Sequence, residues 1–169
     1  MHALDASLRD LLPRLRRFAL SLTHEASSAD DLVQACLERA LAHWHNRQAH
    51  SDLRAWLFAI LYRQFIDGHR RAKRDAQLLA GLNEDPAYQP STERSVLAQS
   101  ALQAFAQLKP EQRALLYAVS VEGLSYQQAA DMLQVPIGTV MSRLSRAREA
   151  LRRLSEGEIN SAPVLRILK

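Results

Sequence analysis

The sequence predicts an all-α fold of two small helical domains joined by a flexible acidic linker. Three observations predict it. Apolar residues recur at spacings of three and four along most of the chain. No segment alternates apolar and polar residues for long, and β-branched residues are sparse. Residues 76–92 break the pattern with Gly81, Asn83, Pro86 and Pro90. The 169 residues suit one domain or two of roughly 70 each. A unit that small buries only about 60% of its unfolded surface and leans on partners for stability.

The first helix is expected over residues 4–22, with Leu8, Leu11, Leu12, Leu15, Phe18, Ala19 and Leu22 at helical spacing. Pro13 should kink or restart it. The second begins after Ser28, with Asp30 and Asp31 at the positive end of the dipole. It runs to about Trp44, turning Leu32, Ala35, Cys36, Ala40 and His43 inward. Ser51 is the expected cap of a third helix over residues 52–73, with Leu53, Trp56, Leu57, Ile60 and Leu61 as its apolar stripe. Trp44 and Trp56 follow that spacing and read as core. Arg63, Arg70 and Arg74 share the opposite face.

After the linker a fourth helix spans about 93–107. Pro110 opens a fifth, which stops at Gly123. Ser125 and Gln128 form a capping box for a helix of barely nine residues that ends near Leu133. Pro136 restarts the chain into a seventh helix, which runs to about Leu154.

Composition excludes several classes. Five Gly and six Pro rule out a collagen-like chain. One cysteine, Cys36, rules out an internal disulfide framework and a Cys-only zinc site. Cys36, His43, His45 and His50 match no recognised zinc spacing. The apolar stretch 55–61 falls far short of the roughly 18 residues a membrane span needs. Asp5, Arg9 and Asp10 precede any long apolar run, unlike a secretory signal. No nucleophile–base pair, phosphate-binding glycine loop or carboxylate dyad stands out. The expectation is a cytoplasmic, non-catalytic protein without a cofactor.

The net charge of +4 is uneven. Residues 54–74 hold six Arg and Lys against Asp67, and residues 143–153 hold five Arg against Glu149. Residues 75–95 between them hold four acids against Arg94. Two basic segments flanking an acidic one fit two contacts with nucleic acid. The second lies in a helix–turn–helix pattern. Ile137, Val140, Leu144, Ala147 and Leu151 line one face of the last helix, and Thr139, Ser142, Arg143 and Arg146 another. Hydroxyls and guanidiniums there suit base edges and phosphates in a major groove.

The stretch GLSYQQAADMLQVPIGTVMSRLSRAREAL (residues 123–151) resembles region 4 of bacterial extracytoplasmic-function (ECF, group 4) sigma factors of the sigma-70 family. Ala29-Asp-Asp-Leu-Val-Gln34 resembles their region 2.2. Leu53-Arg-Ala-Trp-Leu-Phe58, with Ile66, Asp67, Arg70 and Arg71 behind it, resembles regions 2.3 and 2.4. The resemblance covers residues 8–154, with three motifs in the family's order.

It implies a subunit that directs core RNA polymerase to promoter DNA. Residues 1–75 would be the region 2 domain, which grips the β′ clamp helices and opens the −10 element. Residues 76–92 would be the linker. Residues 93–155 would be the region 4 domain, which sits on the β flap and reads the −35 element, and 156–169 a tail. Asp31 and Gln34 would meet the clamp helices. Arg63, Arg70, Arg71 and Arg74 would contact the −10 region, and Thr139, Ser142, Arg143 and Arg146 the −35 element. An anti-sigma factor is an implied partner, and it or the chain's own two domains would mask the basic surfaces.

The chain departs from the family pattern in four places. Ala35 stands where a Glu is frequent, Arg63 where an Asn is, and Gln134 where a turn glycine is. Met141 occupies a position that is often Lys or Arg. Arg63 and Met141 keep open the alternative of a sigma-mimic that sequesters an anti-sigma factor. A plain helix–turn–helix DNA-binding regulator is the other alternative, though residues 1–75 match region 2 better.

Overall fold

The computed structural model describes residues 2–46, 52–80 and 96–161. Among them are seven α-helices and no strand: α1 (His2–Thr23), α2 (Ala26–Ala42), α3 (Leu53–Ala80), α4 (Val96–Ala106), α5 (Pro110–Leu116), α6 (Tyr126–Leu133) and α7 (Ile137–Ser161). A 3₁₀ turn, Trp44–Asn46, follows α2, and a π-helical turn, Tyr117–Val121, continues α5. Helices α1, α2 and α3 pack together, and α4, α5 and α6 pack around α7.

The predicted turn chemistry is largely present. Pro110 is the first residue of α5, and Gly123 takes φ 66°. Ser125 Oγ accepts from the Gln128 amide, while Gln128 Oε1 accepts from the Ser125 amide. Pro13 lies inside an unbroken α1. It faces solvent together with Arg9, whose carbonyl it leaves without an amide donor, so water can satisfy that carbonyl.

Several local expectations differ. The cap of α2 is Glu25, whose carboxylate accepts from the Ser27 and Ser28 amides. The Ser28 hydroxyl and amide, and then the Ser27 amide and hydroxyl, hold its carboxyl down at about 2. Helix α2 therefore starts earlier than predicted, which places Asp31 in its second turn. Asp52 caps α3 by accepting from the Arg54 amide at 2.9 Å; Ser51 lies outside the described residues. His43 is the exposed C-cap of α2, with Nδ1 3.0 Å from the Arg39 carbonyl oxygen. Trp44 and Trp56 are half-buried and meet edge to face at 6.0 Å. Leu12 and Ile137, both predicted inward, are 36% and 41% exposed.

Helix α3 runs to Ala80, seven residues beyond expectation and into the predicted linker, whose remainder lies outside the described residues. Helix α7 runs to Ser161; the apolar Val164, Leu165, Ile167 and Leu168 lie outside them as well.

The larger core joins the two bundles. Leu15, Phe18, Leu57, Phe58 and Leu61 from α1 and α3 cluster with Ala114, Ala118, Leu124 and Met132 from the second bundle. Phe18 stacks on Phe58 at 4.8 Å and tilts against Tyr117 at 5.3 Å. Aromatic contacts of this kind add about 0.5–1.5 kcal/mol beyond area burial. A second cluster, with Leu115, Val140 and Leu144, lies inside the second bundle alone.

Polar bonds ring the shared core. Arg113, 6% exposed on α5, donates to the carbonyls of Ser21 and Leu22 in the last turn of α1. It also donates to the carbonyls of Ala106, the last residue of α4, and of Leu108 just after it. The Glu122 side chain, 3% exposed, pairs with Arg14 at 2.6 Å. Its carbonyl accepts from Arg54 Nη1 at 2.7 Å. Gln128 Nε2 reaches Asp52 Oδ2 at 3.0 Å, so the caps of α6 and α3 meet.

His24 lies at this interface in a left-handed conformation, φ 60°. Burial, and then the nearby Arg113 charge, lower it to about 4 from its ordinary 6.5. The fold thus favours the neutral ring. Its contribution is full above pH 6.5 and is lost as pH falls towards 4. Urea midpoints should therefore fall more steeply across that window in the native chain than in His24→Asn, since Asn tolerates positive φ. Parallel curves would refute this.

Cys36 is fully buried, with Sγ 3.5 Å from the Leu57 carbonyl oxygen. Burial pushes its thiol up to about 12. A thiol held protonated and out of solvent does not react. At pH 8 a disulfide reagent should label it only after denaturant unfolds the chain. Rapid labelling of the native protein is the result that would contradict this.

Candidate nucleic-acid interface

The helix–turn–helix predicted over residues 125–154 is formed by α6, its turn and α7. Gln134 closes α6 in the left-handed region at φ 55°, and the Val135 amide donates to the Ala130 carbonyl at 3.1 Å. A non-glycine residue at positive φ carries modest strain. The turn then delivers Pro136, whose carbonyl accepts from the Thr139 amide at 2.9 Å. Val140, Leu144 and Ala147 are buried against the bundle, so the opposite face of α7 is presented outward.

On that face Ser142, Arg143 and Arg146 are exposed and Thr139 is half-buried. Ser142 Oγ bonds its own helix at the Thr139 carbonyl. The basic cluster splits in two along α7. Arg152 and Arg153 both pair with Glu149, and Arg152 also with Glu156. Hydrogen bonds from Arg152 and then Arg153 hold the Glu149 carboxyl at about 2. Among the described residues, Arg143 and Arg146 make no ion pair, so their guanidiniums remain available to an external anion.

In the first bundle, Arg70, Arg71 and Arg74 are exposed along the solvated second half of α3. Arg63 is engaged: its Nη2 donates to the Asp131 carbonyl of α6 at 2.7 Å. Arg63, Arg70, Arg143 and Arg146 border one cleft of about 570 Å³ between α3 and the second bundle. The structure thus brings together candidates from both basic segments. Arg71, Arg74, Thr139 and Ser142 do not line that cleft.

Asp31 and Gln34 lie elsewhere, exposed on α2; Gln34 bonds Glu38 at 3.1 Å. Beside Gln34 runs an apolar groove with Leu12, Val33, Leu37 and Leu41 in its walls. Leu41 is 63% exposed. Sequence reasoning missed this groove, although Leu37 and Leu41 sit four apart and off the Val33–Cys36–Ala40 stripe, a signal that was there to read. Among the described residues no helix is long and apolar enough to cross a membrane.

Comparison with known proteins matches both bundles. Residues 8–62 match the family described as the Sigma2 domain of PhyR, and residues 98–151 match Sigma-70, region 4. The ECF RNA polymerase sigma factor EcfG of Rhodopseudomonas palustris is 37% identical over 88% of this chain and 84% of its own length. SigL of Mycobacterium tuberculosis is 36% identical over 82% of this chain and 80% of its own. The sigma factor RpoE of Bartonella quintana, solved in complex with the anti-sigma factor NepR, superposes with a TM-score of 0.76 at 33% identity, covering 96% of this chain and all of that one. With both bundles matched and relatives of this identity spanning most of its length, the chain belongs to the ECF RNA polymerase sigma factors, the subunits that direct core polymerase to promoters.

Proposed function

We propose that the two bundles divide promoter recognition between them. Residues 1–75 are the domain for core polymerase and the −10 element, 76–92 the connector, 93–155 the −35 domain and 156–169 a tail. Arg143 and Arg146 reach base edges of the −35 element from the major groove, with Thr139 and Ser142 beside them. Arg63, Arg70, Arg71 and Arg74 hold the −10 region, mainly through phosphates. Asp31 and Gln34 meet the β′ clamp helices, and Leu12, Leu37 and Leu41 add apolar contact next to them.

The observation that carries the reading is the outer face of α7. Among the described residues it bears two guanidiniums without an ion pair, on a helix set by a capped, left-handed turn. The chain acts in the cytoplasm as a non-catalytic specificity subunit. An anti-sigma factor is its regulator, in keeping with the NepR complex of the similar RpoE. Opening is part of the mechanism. While Arg63 bonds α6 and four of the DNA-facing arginines share one cleft, the two elements cannot be engaged separately. Binding to core spreads the bundles apart and frees both surfaces.

Run-off transcription with core polymerase on a promoter pool tests this. Discrete start sites, absent with Arg143→Ala/Arg146→Ala, are expected. Start sites that persist in that variant would overturn the assignment of α7. Failure to bind core would overturn the core-binding assignment and favour the sigma-mimic.

A further inference from the structure

The cleft between the bundles has features that promoter recognition leaves unexplained. Arg63 and Arg70 face it from α3, Arg143 and Arg146 from α7, and Lys109 lies at its edge. The acids along it are Asp67 and Glu111. Five cations against two anions leave an excess of positive charge between two surfaces that are held together. Like charges brought together across an interface repel, and screening in a partly enclosed cleft is weaker than on an open surface.

The cleft also holds an unused polar group. Tyr62 lines it and is 6% exposed, and its hydroxyl makes no hydrogen bond among the described residues. Glu111, Arg143 and Arg70 all act electrostatically on that phenol, so charges from both bundles converge on one point. The hydroxyl opens on the cleft, so it is free to donate to whatever occupies it. The volume of about 570 Å³ falls within the range of small-molecule sites, roughly 300–1,000 Å³.

The geometry points to a binding site for a linear polyphosphate, clamped between the guanidiniums of α3 and α7 with the Tyr62 hydroxyl donating to it from the floor. Phosphate oxygens accept several guanidinium bonds at once, and a chain of phosphates carries charge to both walls. Such a ligand binds the latched arrangement and not the separated bundles, so it stabilises the latched one by mass action. The site would make the latched population respond to the supply of a small anion. Its existence does not depend on the DNA roles proposed above.

The test titrates inorganic tripolyphosphate into the full chain by calorimetry at physiological salt, with a nucleoside triphosphate as a second arm. Saturable one-to-one binding is expected, with a raised thermal midpoint. Arg70→Ala and Arg143→Ala should each weaken it about ten-fold, because either change removes one wall. Tyr62→Phe should weaken it while leaving the helical spectrum unchanged. Arg153→Ala, on the paired far end of α7, should bind like the native chain. Equal affinity in both arms identifies the polyphosphate chain as the ligand. Tighter binding of the nucleotide identifies a nucleoside polyphosphate, and both results support the site.

Four outcomes overturn it. One is the absence of saturable binding. Another is equal loss with Arg153→Ala, which marks general charge attraction. A third is dependence on one wall alone. The last is binding that appears only after Glu84, Asp85 and Glu93 are changed to Gln, which would give the cleft to the chain's own acidic segment.

Discussion

Arg113→Ala should destabilise the chain by about 2–4 kcal/mol and loosen the contact between its bundles. The reason lies in what helices leave undone at their ends. The last carbonyls of an α-helix have no amide partner within the helix. Arg113 answers this for two helices at once, donating to Ser21 and Leu22 at the end of α1 and to Ala106 and Leu108 where α4 stops. Its positive charge also meets the negative ends of both helix dipoles. Truncation would leave carbonyls without donors in a region where Arg113 itself is 6% exposed. Arg113→Lys should recover less than half of the loss, because an ammonium has three donors and no planar fork. Urea unfolding supplies the free energy and small-angle scattering the expansion. A change below about 0.5 kcal/mol would mean that water replaces the guanidinium without cost and that Arg113 is not the staple.

Residues set by their immediate neighbours were legible in the sequence. The Ser125–Gln128 box, Pro110 at a helix start and Gly123 depend on contacts within about a turn, so spacing alone exposed them, whereas the strained Gln134 was marked only by the turn glycine frequent in the family. The buried face of α7 was legible for the same reason, apart from Ile137 at its exposed start. What stayed hidden depends on partners far along the chain. Arg63 meets Asp131 across 68 positions, and Arg14 meets Glu122 across 108. No helical period announces such pairs. Arg113 is a clear case: an arginine beside Ala114, Leu115 and Leu116 reads as a solvated charge until α1 and α4 are set against it. Even the start of α2 moved, because Glu25 captured the Ser27 and Ser28 amides before the Ser28 hydroxyl could act as a cap. The resemblance pointed to Asp31 and Gln34 for the candidate core-binding face but not to its leucines, since Leu37 and Leu41 gain meaning only once Leu12 lies alongside.

Replacing Arg143 and Arg146 together is the change with the largest expected effect on DNA. Each guanidinium that reads a base contributes about 1–3 kcal/mol of discrimination, so each single variant should weaken −35 binding roughly ten- to a hundred-fold. The pair sits three residues apart on one face, so the double variant should fall short of the sum. The fold should be untouched. Both side chains are exposed and without ion pairs among the described residues, and such surface changes stay within about 0.5 kcal/mol. Removing two like charges from the crowded cleft should, if anything, tighten the latched arrangement. Loss of binding with full thermal stability therefore separates a recognition defect from a folding one. The pattern of the loss then assigns chemistry. If binding weakens at particular base pairs and the salt dependence barely moves, the arginines read bases. A uniform loss on every duplex, with a shallower salt slope, assigns them to phosphates, and −35 specificity would then have to come from Thr139, Ser142 and the exposed Met141.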